Sequence, residues 1–257
     1  MARALTQTVF PVPKSGNLPL LCYVTDRSLF AAEPAPAHRI LLKKIAAAAA
    51  AGVDWIQVRE KDLSGKESSA LAREAMTLAA NRAGGDSRGD QPSEGISPRV
   101  STSAQPKATR VRIIVNDRLD IALATDAGGV HLGEQSLPPR QAVRLLQWLE
   151  RQDFLIGASC HSPEAAKEAE RGGADYLFFG PVFATPSKAA YGAPQGLDRL
   201  SEVCGAVTLP VLAIGGITQE NAAACLSAGA SGIAAIRLFQ DAPDLSAVVK
   251  ALKSSTR

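Results

Sequence analysis

Three features of the sequence predict an α/β protein that folds as one closed (β/α)8 barrel of the TIM type. Short apolar runs alternate with helical segments along the chain, which is typical of βαβ units and a parallel sheet. There are eight such runs, and eight βα repeats favour a closed barrel over an open sheet. Ala-Gly and Gly-Ala pairs recur before strands, as at Ala51-Gly52 and Gly173-Ala174, where they fit helix ends that turn into the next strand.

The predicted strands are short and mostly apolar, as expected of strands that are covered on both faces. In chain order they are Leu20–Thr25, Asp54–Arg59, Val111–Asn116, Gly129–Leu132, Phe154–Ser159, Tyr176–Gly180, Val211–Ile214 and Gly232–Arg237. Helices are predicted between and after them, at His38–Ala51, Ser64–Asn81, Asp117–Thr125, Pro139–Arg151, Ser162–Arg171, Leu197–Cys204, Gln219–Ser227 and Leu245–Lys253. The first helix contains the alanine-rich run Ile45–Ala51, and alanine is both the best helix former and small enough for close packing on a sheet.

Two segments interrupt this pattern. Residues 84–107 are rich in Gly, Ser, Pro, Asp and Arg and contain almost no large apolar side chains. Such a composition cannot bury enough surface to offset the entropy of ordering, so we expect a disordered, low-complexity insertion between the second helix and the third strand. Residues 1–17 are expected to be a loose N-terminal segment, which leaves 18–257 as a single barrel domain.

Bulk composition excludes several classes of protein. The 257 residues are 46% hydrophobic and 21% charged, which is ordinary for a soluble globular protein. A net charge of +3 gives no reason to expect nucleic acid or a membrane surface as a partner. The four cysteines are far apart, which argues against a zinc site or a disulfide framework, and no apolar run is long enough to span a membrane. We therefore expect a cytoplasmic protein; its oligomeric state is not indicated.

Catalytic groups in such barrels lie at the carboxyl ends of the strands, and the second and third strand ends carry polar residues. Alternation along a strand would place Gln57, Arg59 and Lys61 on one face, where an amide and two cations suit a phosphate or pyrophosphate. Asn116 and Asp117 follow the third strand, and Asp117 could hold Mg²⁺ bridging phosphate oxygens. The alternative for Asp117 is a helix N-cap, which suits aspartate equally well.

The fourth and fifth strand ends add a carboxylate, a hydroxyl and an imidazole. Glu134 is a second candidate carboxylate or a solvated loop charge, while His131 lies within its strand and is more often a packed residue than a catalyst. Ser159 could donate to a phosphate. His161 is either an acid/base group that titrates near neutral pH or a structural residue at the start of the next helix.

The last three strand ends suggest a second anion site. Thr185, Ser187 and Lys188 lie in a long loop after the sixth strand. Gly216 follows the seventh strand and Arg237 the eighth, where barrel enzymes commonly bind phosphate. Two phosphorylated ligands in one pocket suggest a joining reaction in which one group leaves as pyrophosphate.

These motifs together resemble the thiamine-phosphate synthase family and its relative, the thiazole tautomerase. The resemblance is carried, in the family's order, by Gln57-Val-Arg-Glu-Lys61, Val115-Asn-Asp-Arg118, Gly129-Val-His-Leu-Gly133, Gly180-Pro-Val-Phe183 with Thr185-Pro-Ser-Lys188, and Ala213-Ile-Gly-Gly-Ile217. It spans roughly Leu20 to Phe239, and the 84–107 insertion is not part of it.

The resemblance implies that a hydroxymethylpyrimidine pyrophosphate loses pyrophosphate and is captured by the nitrogen of a thiazole phosphate. It implies a pyrimidine pyrophosphate site formed by Gln57, Arg59, Lys61, Asn116, Ser159 and Lys188, with Lys61, Ser159 and Lys188 as candidate catalytic residues. It also implies a thiazole phosphate site formed by Thr185, Ser187, Gly216, Ile236 and Arg237. Asp117 would be a ligand of a Mg²⁺ cofactor.

The chain departs from the family pattern at three positions. Ser136 stands where the family usually has an aspartate that is a second metal ligand, and Glu134 is the nearest carboxylate that could replace it. Arg237 stands where synthases usually have serine, and Ser187 replaces the usual threonine.

The missing aspartate is also typical of the tautomerase branch, in which a histidine at the position of His161 moves a proton without magnesium. That branch tends to lose the Gln57/Arg59/Lys61 strand end and the Thr185–Lys188 loop, and this chain keeps both. A synthase is therefore favoured over a tautomerase. The third alternative is a non-catalytic protein that binds thiamine precursors.

Overall fold

The protein is a closed eight-stranded parallel barrel surrounded by helices, which confirms the predicted fold class. The computed structural model describes residues 18–30, 33–80, 111–185 and 193–254. Each strand pairs in parallel with the next, and β8 pairs with β1 to close the sheet. The carboxyl ends of all eight strands therefore lie at one mouth of the barrel.

The strands are β1 (Leu20–Val24), β2 (Trp55–Val58), β3 (Arg112–Asn116), β4 (Gly129–Leu132), β5 (Leu155–Cys160), β6 (Tyr176–Phe179), β7 (Val211–Ile214) and β8 (Gly232–Ala235). The helices of the described ranges are α1 (Pro34–Ala51), α2 (Gly65–Ala80), α3 (Leu119–Ala124), α4 (Pro139–Trp148), α5 (Pro163–Arg171), α6 (Gly196–Ala206), α7 (Ala222–Ser227), α8 (Arg237–Gln240) and α9 (Leu245–Ser254). A short 3₁₀ turn spans Arg27–Leu29.

The end of the eighth strand differs from the sequence prediction. The strand was expected to run to Arg237, but β8 ends at Ala235 and Arg237 begins the short helix α8. The backbone leaves the extended conformation at Ile236, whose φ is −92° and ψ is −76°. The Ile236 carbonyl then accepts hydrogen bonds from the N–H groups of Phe239 and Gln240, which fold the chain into a turn of helix.

The two irregular segments are outside the described residues. Residues 81–110 separate α2 from β3, so the 84–107 insertion occupies the predicted place in the topology. Its expected disorder, and that of residues 1–17, remain predictions. Within the described ranges, no helix is long and apolar enough to cross a membrane.

Aromatic side chains fill the barrel interior. Trp55 on β2 and Tyr176 on β6 have ring centroids 4.5 Å apart, and Phe178 lies 5.4 Å from Tyr176. Tyr176 is fully buried. Gly157, its neighbour across β5 and β6, leaves room for it, because a Cβ at position 157 would lie 2.1 Å from the tyrosine ring.

Alanine on the buried face of α1 allows close packing of the helical shell. On α1, Leu41, Ile45, Ala48 and Ala49 are buried at helical spacing, and this helix packs between α2 and α9. The alanine-rich run thus has the packing role expected from the sequence. Ser162 caps α5, since its hydroxyl accepts the Ala165 N–H at 3.1 Å.

Carboxylates fasten neighbouring strands at the amino-terminal face, opposite the mouth. Asp54 accepts the Leu21 N–H of β1 at 2.8 Å and pairs with Lys253 of α9 at 2.9 Å. Asp175 accepts the Ile156 N–H of β5 at 2.7 Å. These contacts stabilise the face away from the mouth, which leaves the mouth free for binding groups.

We expect Gly157→Ala to destabilise the protein strongly, because the added methyl group overlaps the Tyr176 ring. Overpacking of this kind should lower the free energy of unfolding by about 3 kcal/mol, measured by urea denaturation. Gly205→Ala is the matched control, since nothing lies within 4 Å of its added Cβ and it lies in α6. The control should leave stability unchanged or raise it by up to about 1 kcal/mol, and equal losses in both variants would contradict the packing argument.

Candidate active site

A chain of hydrogen bonds joins the ends of β2, β3 and β4. Gln57, buried in the barrel, donates from Nε2 to Asn116 Oδ1 at 2.8 Å. Asn116 Nδ2 in turn donates to Asp117 Oδ2 at 2.7 Å. Three of the residues predicted from separate strand ends are thus in direct contact, and the amide orientations are fixed by the carboxylate at the end of the chain.

Asp117 is held at the mouth by its backbone and by three donors. Its φ of +59° lies in the left-handed region, which aspartate tolerates better than most residues, and its N–H donates to the His131 carbonyl at 2.8 Å. Asp117 Oδ1 accepts the Gly133 N–H at 2.9 Å and the Ser136 hydroxyl. The side chain makes no cap with α3, whose N-cap is Arg118, so the alternative of a helix cap is wrong.

These donors determine the charge state of Asp117. Partial removal of the carboxyl from solvent acts to raise its pKa, but the hydrogen bonds from Ser136, Gly133 and Asn116 outweigh that effect and lower the pKa below its ordinary value. Asp117 is therefore ionised throughout the physiological range. Ser136, which stands at the expected position of a second metal ligand, instead donates to this carboxylate.

Arg59 and Lys61 follow β2 in a loop rather than in the strand. Because β2 ends at Val58, strand alternation does not extend to Lys61, and the expectation that it shares the face of Gln57 is wrong. Lys61 instead lines a cleft of about 210 Å³ together with Glu60, Asn116 and Asp117. Lys61 and the Asn116/Asp117 pair therefore line one cleft.

The end of β1 carries functional candidates that we did not identify from the sequence. Thr25 is fully buried, and its hydroxyl accepts the Arg59 N–H at 3.0 Å and donates to Glu60 at 2.6 Å. Arg27 contacts both Glu60 and Asp62. In the sequence, Thr25 ends a predicted strand and Asp26-Arg27 follow it, but this position does not indicate their contacts with residues 59–62.

A second set of hydrogen bonds runs from the mouth into the barrel. His131 Nε2 lies 3.0 Å from the Ser159 hydroxyl, and His131 Nδ1 lies 3.3 Å from the Tyr176 hydroxyl. His131 is buried and stacks near Phe178, with ring centroids 4.1 Å apart. It is therefore a packed residue that orients Ser159, in agreement with the expectation that it is not itself a catalyst.

His161 faces the mouth from the end of β5. Its Nδ1 is hydrogen-bonded to the Gly180 carbonyl, and its Nε2 lies 3.9 Å from Glu134 Oε2. The imidazole thus has one nitrogen bound to the backbone and one directed at a carboxylate. Glu134 is placed beside His161 rather than among the hydrogen-bond partners of Asp117.

The ends of β6 and β7 carry residues of the second predicted anion site. Gly215 and Gly216 have φ values of +93° and +66°, and a Cβ at Gly216 would lie 2.5 Å from the Ala184 carbonyl. The loop after β6 therefore lies directly against these glycines, and Phe183 N–H donates to the Gly215 carbonyl at 3.0 Å. Thr185 is half-buried in this loop, while Ser187 and Lys188 lie outside the described residues.

Ile236 and Arg237 complete that side of the mouth. Ile236 packs against the apolar cluster inside the barrel, and Arg237 is exposed, 3.6 Å from Asp241 one turn along α8. Gln240, at the end of α8, is buried and bonds the backbone N–H and carbonyl of Asp26 and the hydroxyl of Tyr23. The last turn is thereby tied to the end of β1, a contact that the sequence did not reveal.

The donor chemistry at Asp117 fits a single magnesium ion held mainly by substrate. Among the described residues, no group of three His, Cys, Asp or Glu side chains could hold a metal. Among the described residues, Asp117 Oδ2 accepts one hydrogen bond, from the Asn116 amide, so it retains a lone pair for a cation. Magnesium is commonly bound by one or two carboxylates together with phosphate oxygens, and Asp117 could supply one of them.

Comparisons with known proteins agree on one family. A family model described as thiamine monophosphate synthase matches residues 100–239. The thiamine-phosphate synthase of Roseiflexus castenholzii is 36% identical over 242 residues, 94% of this chain and 90% of that protein. That of Chlorobium luteolum is 38% identical over 222 residues, 86% and 85% of the two chains. The thiamine phosphate pyrophosphorylase of Pyrococcus furiosus superposes with a TM-score of 0.69 at 29% identity, covering 92% of this chain and 95% of that one.

We expect Ser136→Ala to raise the pKa of Asp117, because one of the three donors that stabilise the ionised carboxylate is removed. The measurement is a titration of the carboxyl carbon resonance by NMR. The lowered pKa of Asp117 stabilises the folded state at pH values above the ordinary aspartate pKa, and this stabilisation is lost as pH falls through the folded value. The variant should therefore be less stable than the wild-type protein near neutral pH, and the difference should disappear in acid. Ser254→Ala, whose hydroxyl donates to the Ala251 carbonyl far from the site, is the control, and an unchanged Asp117 titration in Ser136→Ala would refute the assignment.

Proposed function

The chain belongs to the thiamine monophosphate synthase family, and we propose that it condenses hydroxymethylpyrimidine pyrophosphate with hydroxyethylthiazole phosphate. The products are thiamine phosphate and pyrophosphate, so the protein is a transferase of thiamine biosynthesis with small phosphorylated substrates. The observation that carries this function is the hydrogen-bonded chain from Gln57 through Asn116 to Asp117, with Lys61 in the adjoining cleft.

The reaction needs departing charge to be stabilised at the mouth. The bond between the pyrimidine methylene carbon and the pyrophosphate oxygen breaks, and both electrons leave with pyrophosphate. The lone pair of the thiazole nitrogen then forms the new carbon–nitrogen bond, with no net proton transfer. We assign Arg59, Lys61 and Lys188 to the leaving pyrophosphate, where fixed cations stabilise the transition state most.

Neutral groups would orient the pyrimidine substrate. Gln57 and Asn116 have their amides fixed by each other and by Asp117, and Ser159 has its hydroxyl beside His131. We assign these three side chains to the pyrimidine pyrophosphate. Groups that are already held in place lose little entropy when substrate binds, so positioning supplies part of the rate.

The thiazole phosphate would bind at the ends of β6, β7 and β8. The left-handed φ angles at Gly215 and Gly216 let the loop after β6 pack directly against them, and the Asn221 side chain donates to the Gly216 carbonyl at 3.0 Å. We assign Thr185, Ser187, Gly216, Ile236 and Arg237 to this phosphate. Arg237 keeps a guanidinium at the surface, where it can pair with phosphate oxygens in place of Asp241.

A magnesium ion fits this assignment, with Asp117 as its protein ligand. When bound, the ion would neutralise charge on the pyrophosphate oxygens. Asp117 remains ionised for this role because of its three donors. Glu134 and Ser136 are weaker candidates, since Glu134 lies beside His161 and the Ser136 hydroxyl is engaged with Asp117.

Thiazole tautomerase activity is the second candidate, and His161 is the observation that favours it. With Nδ1 bound to a carbonyl, the imidazole is held so that Nε2 could exchange a proton with a ligand at the mouth. Glu134 Oε2 lies 3.9 Å from that nitrogen. The pyrophosphate-binding groups have no role in such a reaction, and for this reason we favour the synthase.

We expect Asp117→Asn to lower kcat for coupling by about 100-fold, because the charge that holds the cation is lost while asparagine tolerates the left-handed backbone. The measurement is pyrophosphate release and thiamine phosphate formation with both substrates and Mg²⁺. Asp126→Asn is the matched control, since Asp126 also has a positive φ, of 61°, but pairs with Arg151 away from the site. Full activity in Asp117→Asn would contradict the metal assignment.

We expect His161→Ala to retain substantial coupling activity, because no step of the coupling transfers a proton to that imidazole. The same preparations would be given the thiazole carboxylate phosphate tautomer. A wild-type protein that makes no thiamine phosphate but tautomerises, with the tautomerisation lost in His161→Ala, would replace the synthase by the tautomerase. If the protein binds both precursors but catalyses neither reaction, the result would indicate a non-catalytic binding protein.

A further inference from the structure

Glu60, within the Gln57–Lys61 motif, has no place in the proposed chemistry and yet is a buried carboxylate that accepts three hydrogen bonds. Its side chain is only 3% exposed. Glu60 Oε1 accepts the Thr25 hydroxyl at 2.6 Å, and Oε2 accepts the Arg27 N–H at 3.0 Å and its guanidinium at 3.2 Å. Burial raises the pKa of Glu60 even against these bonds, so its environment disfavours a lone negative charge.

Arg27 holds the loop after β2 on both sides of Lys61. Its Nη1 contacts Glu60 and also Asp62 Oδ1 at 2.7 Å, and its Nη2 contacts Asp62 Oδ2 at 2.7 Å. The pair with Asp62 is bidentate, which fixes orientation as well as distance. With its own side chain 11% exposed, Arg27 fastens the residues before and after Lys61 to the end of β1.

The same contacts reach Arg59. The Thr25 hydroxyl, which donates to Glu60, accepts the Arg59 N–H at 3.0 Å. Residues 59–62 are therefore held through the Arg59 N–H and through the side chains of Glu60 and Asp62. Lys61, the second cation proposed to bind pyrophosphate, lies between those two carboxylates in the sequence. The loop has little freedom left once Arg27 is in place.

Arg27 also changes the charge beside the anion site. Glu60 and Asp62 would repel a pyrophosphate, and by themselves they equal the charge of Arg59 and Lys61. The Arg27 guanidinium compensates one carboxylate, which leaves a net positive loop. Lysine could supply the charge but not the planar fork that contacts two carboxylates at once.

We propose that Arg27 is a positioning residue for the pyrophosphate site: it holds Lys61 and Arg59 toward the leaving group and offsets the carboxylates on either side of Lys61. This inference rests on the proposed function for its kinetic consequence, but the anion affinity that it predicts can be measured without any reaction. Arg27 does not touch substrate; it acts through Glu60 and Asp62.

The test compares Arg27→Met and Arg27→Lys with the wild-type protein. Calorimetric titration with inorganic pyrophosphate should show affinity reduced about tenfold in Arg27→Met and by a smaller factor in Arg27→Lys. In the coupling assay, KM for the pyrimidine pyrophosphate should rise by a similar factor, while KM for the thiazole phosphate changes less than about twofold. A merely structural role would alter both KM values alike.

Two further variants keep the outcome decisive. Arg112→Met is the matched control, because Arg112 also pairs with an aspartate, Asp153 at 2.8 Å, but at the amino-terminal end of β3. This variant should keep wild-type pyrophosphate affinity.

If Arg27→Met does not fold, Arg27→Met/Glu60→Gln removes the unpaired buried charge and should still bind pyrophosphate weakly. Wild-type affinity in the folded Arg27 variants, or equal changes in both KM values, would overturn the inference. A wild-type protein that binds pyrophosphate in an Arg27-dependent way but makes no product would instead refute the proposed function alone.

Discussion

Closure of the sheet by pairing β8 with β1 is the constraint on which the rest of the molecule depends. Only a closed parallel sheet brings eight carboxyl ends to one mouth, so that residues far apart in sequence meet without long connections. Closure also creates an interior that side chains must fill, and Tyr176, Trp55 and Phe178 do so. A polar contact reinforces this closure: the Gln240 side chain hydrogen-bonds the backbone of Asp26 and the hydroxyl of Tyr23.

The two faces of the barrel use carboxylates differently. At the amino-terminal face, Asp54 and Asp175 accept backbone N–H groups and fasten strands to each other. At the mouth, Asp117 is surrounded by donors that keep it ionised, and Glu60 is compensated by Arg27. The same chemical group thus fastens strands at one end of the barrel and contributes to the charge of the loops at the other.

Sequence reasoning predicted the fold, and it named candidate site residues that meet at the mouth, because both follow from periodicity and strand order. Every predicted strand is present, and the contact of Gln57 with Asn116 follows from the neighbouring positions of β2 and β3. What it missed depends on loop conformation, which has no period: Lys61 leaves the strand alternation, and Ile236 turns the chain into α8. Arg27 was missed because its proposed role depends on contacts with Glu60 and Asp62, which lie more than thirty positions away in the sequence. No local sequence pattern indicates such contacts.

The contact between Gly157 and Tyr176 has a consequence for how this sequence can change over evolutionary time. The tyrosine ring occupies the volume that any larger residue at position 157 would need, and its hydroxyl lies beside His131, which in turn lies beside Ser159. Sequence drift at the centre of the core is therefore coupled to the geometry of the Ser159 hydroxyl, which we propose binds substrate. Among relatives, a larger residue at position 157 should be found only together with a smaller one at position 176, and such paired exchanges would mark lineages in which the requirements on the serine have been relaxed.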